Sequence, residues 1–219
     1  MVQTFPYKRL LSLVVGILAI FFLPRLPLIH IPFFYTIPVL IVVWLLLKLN
    51  GEKLSELGFS LKRFEWKAVG VGLVCAILLF IFLQYVFFPF LGKVIPLKAA
   101  NLNDFKSIRH HFPSYIFVVI MGWLVGGFYE ELVFHGYMFK GINSVIGGKA
   151  GLWIGVLVTG IIFGLYHIQL GASGIINAFL AGLAYQALML KFQRNLWYSF
   201  FFHGFFDTIA LTYIYLGYW

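Results

Sequence analysis

The sequence predicts an all-α protein, a polytopic transmembrane helical bundle of about seven to eight spans. Of its 219 residues, 62% are hydrophobic and only 11% are charged, and its mean hydropathy of +0.97 lies far above that of soluble domains. A spanning helix needs roughly 20 apolar residues, and seven apolar runs are separated by charged or Pro- and Gly-rich breaks. We expect a single transmembrane domain over residues 1–219, with N-terminal spans and interfacial loops in 1–112 and the helices of the candidate site in 113–219.

The predicted spans follow the apolar runs in chain order. They cover residues 10–23, 32–47, 68–91, 114–139, 151–170, 175–190 and 196–216. The first run follows Lys8 and Arg9, as in a signal peptide, but PRLPLIHIP comes after it and not a small-residue cleavage site, so we interpret it as an uncleaved span. The polar stretch 50–67 predicts a solvated loop or interfacial helix, and 92–113 predicts a segment at the membrane surface.

Lysine and arginine are unevenly divided between the two sides of this arrangement. One side carries eleven, before the first span and in 48–67, 140–149 and 191–194, and the other carries five, at Arg25 and in 93–109. Cytoplasmic segments carry the excess of Lys and Arg. We therefore expect a multi-pass protein of a prokaryotic plasma membrane, with its N-terminus in the cytoplasm and its C-terminus outside. No nucleic-acid partner is expected, because the basic residues are scattered without a recognisable module.

Six ionisable side chains fall inside predicted spans, where each charge costs on the order of 3 kcal/mol by insertion scales. These residues are Glu130, Glu131, His135, His167, His203 and Asp207. Glu131 and His135 are four residues apart, so they share a helix face, and the same holds for His203 and Asp207. Glu130 is turned about 100° from Glu131, which indicates different purposes for the two carboxylates.

The fourth and fifth spans form an antiparallel hairpin that turns at GGKAG. Glu130 and His167 lie 19 and 18 residues from Lys149, which places both at roughly 27 to 29 Å from the turn if the helices are continuous. The two side chains can therefore meet. A buried polar network that only joins helices is the simpler alternative, but the convergence of six polar groups favours a functional site.

These residues carry a resemblance to a known family. The chain resembles the CPBP family of CAAX proteases and bacteriocin-processing enzymes, also called Abi proteins, which are intramembrane glutamate-type proteases with the motifs EExxxR, FxxxH and HxxxN or HxxxD on separate helices. Here the motifs read EELVFH, FGLYH and HGFFD, and the resemblance covers about residues 115–216. The first motif departs from the family pattern, because His135 stands where arginine is usual.

The resemblance implies an intramembrane endopeptidase, a hydrolase that cuts membrane-associated peptides or proteins near the cytoplasmic side, as in CAAX-type or leader-peptide processing. The resemblance implies that Glu130 activates a water molecule and that His167 assists it. His203 with Asp207 would stabilise the oxyanion. Glu131 would hold His135 and orient the helix. The implied partners are the substrate and the lipid bilayer, and no cofactor is expected.

Three alternatives stay open from the sequence. Two histidines and a carboxylate, such as His167, His203 and Glu130 or Asp207, form a possible zinc ligand set, although the HExxH signature is absent. Buried Glu and His chains also serve as proton relays in transporters, but no inverted repeat is visible. The departure at His135 keeps a non-catalytic immunity or scaffold protein open.

Overall fold

The structure is a computed structural model that describes residues 7–26 and 33–218. Within these residues the chain is helical and contains no strand, so the all-α prediction is confirmed. The helices are α1 (Tyr7–Phe22), α2 (Thr36–Leu49), α3 (Trp66–Val94), α4 (Phe112–Ile146), α5 (Gly148–Tyr166), α6 (Gly171–Lys191) and α7 (Leu196–Tyr215). Each predicted span overlaps one of them, although residue 32, the predicted start of the second span, lies outside the described residues.

The count of seven to eight spans is not confirmed. Five helices of the described residues are long and apolar enough to cross a membrane: Tyr7–Arg25, Trp66–Val94, Phe112–Ile146, Gly148–Tyr166 and Ile168–Lys191. Helix α2, at 14 residues, is shorter than a bilayer requires. Helix α7 has the length, but its hydroxyl, histidine and aspartate side chains lower its mean hydropathy.

Helices α3 and α4 each contain a segment with a wider, π-helical turn. In α3 this segment is Phe82–Phe87, and in α4 it is Gly122–Met138, which carries the EELVFH motif. A π-helix closes i→i+5 hydrogen bonds, so successive side chains rotate by less than the 100° of an α-helix. The predicted α-helical geometry around Glu130 and Glu131 is therefore wrong in detail, because apolar patterning does not distinguish the two turns.

The polar stretch 50–67 is largely exposed, in agreement with a solvated loop, but it is also hydrogen-bonded to the turn between α6 and α7. It contains two short 3₁₀ turns, Leu54–Leu57 and Leu61–Arg63. The Arg63 guanidinium donates to the carbonyl of Gln193 at 2.6 Å, and Asn195 donates back to the carbonyl of Arg63 at 2.8 Å. The stretch thus covers the turn between α6 and α7.

The helices define two ends of the bundle. The basic end holds the start of α1 and residues 48–67, 140–149 and 191–196, and Lys140 joins parts of it by an ion pair with Glu52 at 3.0 Å. The opposite end holds residues 23–26, 33–35, 92–112, 167–171 and 215–218. There the Asn101 amide donates to the carbonyl of Leu170 at 2.9 Å and the His110 amide donates to the carbonyl of Tyr215 at 3.0 Å.

Candidate active site

Glu130 lies between two histidines that come from other helices. The π-helical segment of α4 carries Glu130, His167 follows the last residue of α5, and His203 lies in the first half of α7. The Glu130 Oε2 atom is 3.9 Å from Nε2 of His167 and 3.9 Å from Nε2 of His203. Both separations exceed a direct hydrogen bond and suit a bridging water. The structure therefore brings together three of the predicted site residues.

The ring of His167 is held by the backbone of its own helix. Its Nδ1 lies 2.9 Å from the carbonyl oxygen of Phe163. Because a carbonyl can only accept, Nδ1 carries a proton, and in the neutral ring Nε2 is left as an acceptor facing Glu130. The FxxxH spacing thus places the histidine where the end of α5 can orient it.

Glu131 has a different close partner from the one that the sequence predicts. Its Oε1 atom is 2.9 Å from Nδ1 of His203, but 3.8 Å from Nε2 of His135. The Glu131 side chain is fully buried, so this contact lies in a medium that strengthens charge-assisted hydrogen bonds. Glu131 is therefore placed to orient His203, a contact across 72 residues of sequence that helical spacing alone cannot detect.

His135 is bonded to a residue that sequence reasoning missed. Its Nδ1 lies 2.8 Å from Oε1 of Gln186 in α6, and His135 and Gln186 are both buried. His135, which stands where the family pattern has arginine, therefore lies closer to an amide oxygen than to the Glu131 carboxylate, which is 3.8 Å away. The only signal in the sequence is a glutamine inside the otherwise apolar run AYQALML.

Asp207 lies one helical turn beyond His203 and reaches the same space. Its Oδ2 atom is 3.7 Å from Nε2 of His203, and 29% of its side chain is exposed. Across from it, Gly126 leaves room: a methyl group added there would lie 2.5 Å from Oδ2 of Asp207 and 3.0 Å from Nε2 of His203. The ring of Tyr185 stacks on His203 with centroids 4.4 Å apart, which fixes the other side of the imidazole.

A cavity of about 790 Å³ extends from these side chains to the opposite end of the bundle. Glu130, His167, His203 and Asp207 line it, whereas Glu131 and His135 do not. This separates the six predicted residues into four that a substrate can touch and two that lie behind them. Parts of its wall come from the first half of the chain, through residues that the sequence did not single out, namely Arg25, Tyr35 and Gln84.

Comparison with known families agrees with this arrangement. Residues 112–209 match a family model described as Rce1-like, type II CAAX prenyl endopeptidase Rce1-like. The resemblance to the CAAX protease family is confirmed. The Rce1-like segment contains all six predicted residues, and together with the apolar helices it supports a multi-pass membrane protein whose second half is similar to CAAX-protease hydrolases. No curated protein and no solved structure matches the chain.

The possible zinc ligands, which are His167, His203, Glu130 and Asp207, are too far apart in this arrangement to bind one zinc ion. Two donors on one tetrahedral zinc with bonds of about 2.0 to 2.1 Å are about 3.3 Å apart, whereas the three contacts around Nε2 of His203 and His167 are 3.7 to 3.9 Å. Among residues 7–26 and 33–218, no group of three or more His, Cys, Asp or Glu side chains is placed to hold a metal ion. We derive no reaction step through a metal.

Proposed function

We propose that the protein is an intramembrane endopeptidase in which Glu130 activates a water for attack on a peptide carbonyl. The observation that supports this best is the position of Glu130 Oε2, 3.9 Å from the Nε2 atoms of both histidines, at the inner end of a cavity. A water between these atoms donates one proton to Glu130 as its oxygen attacks the carbonyl carbon. Glu130 and Nε2 of His167 then hold that proton until the departing amide nitrogen takes it.

His203 stabilises the oxyanion that forms in the same step. For Nε2 to donate while Nδ1 donates to Glu131 at 2.9 Å, both ring nitrogens must carry protons. The carboxylates of Glu131 and Asp207 balance the resulting positive charge from two sides. A donor aimed at the oxyanion contributes about 3 to 4 kcal/mol in measured enzymes, so His203 has a role comparable in size with that of the base.

The substitution Glu130→Gln tests the proposal. The amide keeps the size of the side chain but cannot accept the proton of water, so we expect cleavage to fall by about 10²-fold or more while the protein remains folded and inserted. The measurement is the set of membrane-associated peptides that accumulate uncut in cells carrying the variant. Glu65→Gln, at an exposed carboxylate of the basic end whose amide oxygen would still accept from Tyr198, is the matched control and should leave cleavage unchanged. Full processing by the Glu130→Gln protein would refute the mechanism.

A chelator distinguishes the metal-free mechanism from the zinc alternative. Cleavage by purified protein should persist after treatment with a strong chelator, because no step above uses a metal. Loss of cleavage that is restored by added zinc would assign His167, His203 and Glu130 to a metal site instead. His167→Ala and His203→Ala should each abolish cleavage under either mechanism, so the chelator is the deciding measurement.

A further inference from the structure

The two ends of the bundle differ in their content of lysine and arginine. The basic end holds eleven, and each of its four segments contributes at least two. The opposite end holds five, of which four lie in residues 93–109, while the turn between α5 and α6 has none. The connections are short, so the charge bias of cytoplasmic segments applies to them. This distribution orients the basic end toward the cytoplasm.

The cavity reaches only one of these ends within the described residues. Its lining includes exposed residues of the opposite end, Lys98, Ala99, Asp104 and Gln169, and no residue of 48–67, 140–149 or 191–196. The basic end is filled instead by ring contacts of Phe59 with Phe128, Trp197 and Phe200, at 4.8 to 5.7 Å between centroids. Among residues 7–26 and 33–218, no comparable group of aromatic rings closes the other end of the cavity above Glu130.

We infer that the cavity opens to the extracytoplasmic face of the membrane and receives its peptide from that side. The inference replaces the expectation of cleavage near the cytoplasmic side. The cavity reaches the end opposite to the basic end, whereas the charge distribution places the basic end in the cytoplasm. It also deepens the proposed function, on which its substrate part rests. The substrate would be a peptide segment that is presented at the outer face, and not a prenylated tail reaching in from the cytoplasm.

The walls of the cavity fit an apolar segment with a polar outer part. Between the mouth and Glu130, Val118, Met121, Val125 and Leu211 contribute apolar surface to the lining. At the mouth, Arg25 is held by a hydrogen bond to the carbonyl of Tyr166 at 3.2 Å, and Lys98 and Asp104 are exposed. A membrane-associated peptide can therefore keep its polar end in water while its apolar part reaches Glu130.

Labelling of single cysteines tests the direction of the opening without relying on cleavage. The native thiol is removed by Cys75→Ser, and cysteines are placed by Lys98→Cys at the mouth, Asn177→Cys inside the cavity and Lys62→Cys at the basic end. A small, charged, membrane-impermeant thiol reagent added to intact cells should label the first two, and Lys62→Cys should react only after permeabilisation. Leu157→Cys, at an exposed apolar position in the middle of α5, is the control that should react in neither case.

Either of two labelling results would overturn the inference. One is labelling of Lys62→Cys but not Lys98→Cys in intact cells, and the other is labelling at Lys98→Cys without any at Asn177→Cys. If a position 98 variant is poorly produced, Lys106→Cys at the same end replaces it.

A second measurement tests the side from which the substrate comes. Peptides that accumulate with Glu130→Gln should be digested by a protease added to intact cells, because their uncut segments lie outside, and full protection of these peptides would overturn the substrate assignment. If no peptide accumulates, the protease proposal fails, while the labelling still decides the direction of the opening.

Discussion

Gly126 is the residue on which space in the candidate site depends. It belongs to the π-helical segment of α4 and faces both Asp207 and His203. A side chain at this position would occupy the volume between Asp207 and His203, the residue that we assign to the oxyanion. The backbone at Gly126 does not itself require glycine, because its φ is not positive, so the missing Cβ atom matters for the space beside Asp207 and His203.

Gly126→Ala should lower cleavage strongly while the protein still folds. The added methyl would lie 2.5 Å from Oδ2 of Asp207, so the aspartate must move and the reacting carbonyl loses its place. Gly122→Ala is the matched control, because a methyl at Gly122 meets the same aspartate at an ordinary 3.4 Å. The measurements are cleavage and thermal unfolding in detergent. Equal activity of the two variants would show that the reaction does not use this space.

Glu131 should act as a positioning residue through its bond to His203. Glu131→Ala leaves Nδ1 of the buried His203 ring without its partner, at a cost of about 1 to 3 kcal/mol in stability. Cleavage should fall at least about tenfold, which corresponds to a loss of roughly 1.4 kcal/mol of transition-state stabilisation. Glu131→Gln should rescue part of the activity, because an amide oxygen still accepts from Nδ1. Failure of Glu131→Gln to exceed Glu131→Ala would show that the charge matters and not the orientation.

At the scale of helices, α7 is fixed by close backbone contact with α3. A methyl group at Gly72 would lie 2.7 Å from Cβ of Phe201 and 2.7 Å from the backbone nitrogen of Phe202. Small residues allow such approach between helices in a membrane, where packing and not the hydrophobic effect holds the helices together. The position of His203, one residue further on, therefore depends on a glycine in a helix outside the Rce1-like segment.

Gly72→Ala should destabilise the protein by about 1 to 3 kcal/mol, because rigid backbone must move to accept the methyl. Gly70→Ala lies in the same helix and meets no atom within 4 Å, so it should leave stability unchanged or slightly raise it. Thermal unfolding in detergent compares the two variants. Equal midpoints would show that α3 and α7 are not in backbone contact.

Much of the helical framework could be predicted, because a run of apolar residues long enough for a helix leaves few other choices in a membrane. The π-helical turns of α3 and α4 could not be predicted, because an α-helical turn and a π-helical turn bury the same kinds of apolar residue. The meeting of Glu130 with His167 followed from counting residues along a hairpin. The bonds of Glu131 to His203 and of His135 to Gln186 depend on helix rotation and packing, which spacing within one helix does not determine.

At the scale of the whole molecule, the first half of the chain holds the candidate site in place although the family match begins at residue 112. Tyr137 donates a hydrogen bond to the carbonyl of Ser12 at 2.7 Å, and Lys140 pairs with Glu52 and Glu56 at 3.0 and 3.2 Å. These contacts tie the end of α4 to α1 and to the connection after α2. The helix that carries Glu130 is thus held in place by residues that precede the Rce1-like segment.

The ion pairs of Lys140 should make this anchor sensitive to pH. The hydrogen bond and charge of Lys140 lower the pKa of Glu56 below its ordinary value. A lowered pKa stabilises the fold at neutral pH, and that contribution is lost as pH falls through the acid range below about 4.5. Lys140→Met should therefore lower the unfolding midpoint at about pH 7, and the difference should shrink at about pH 3. Lys149→Met, at an exposed lysine of the same end, is the control.

Residues in 24–25 and 33–105 contribute part of the cavity wall, at a distance in sequence from the residues around Glu130. Substitutions at Arg25, Tyr35 or Gln84 alter the shape that a peptide meets, yet none of these residues belongs to the group around Glu130. Under the proposed function, mutations in the first three helices would change which peptides fit the cavity, and transplanting residues 112–209 alone would lose both this wall and the contacts that hold the candidate site in place.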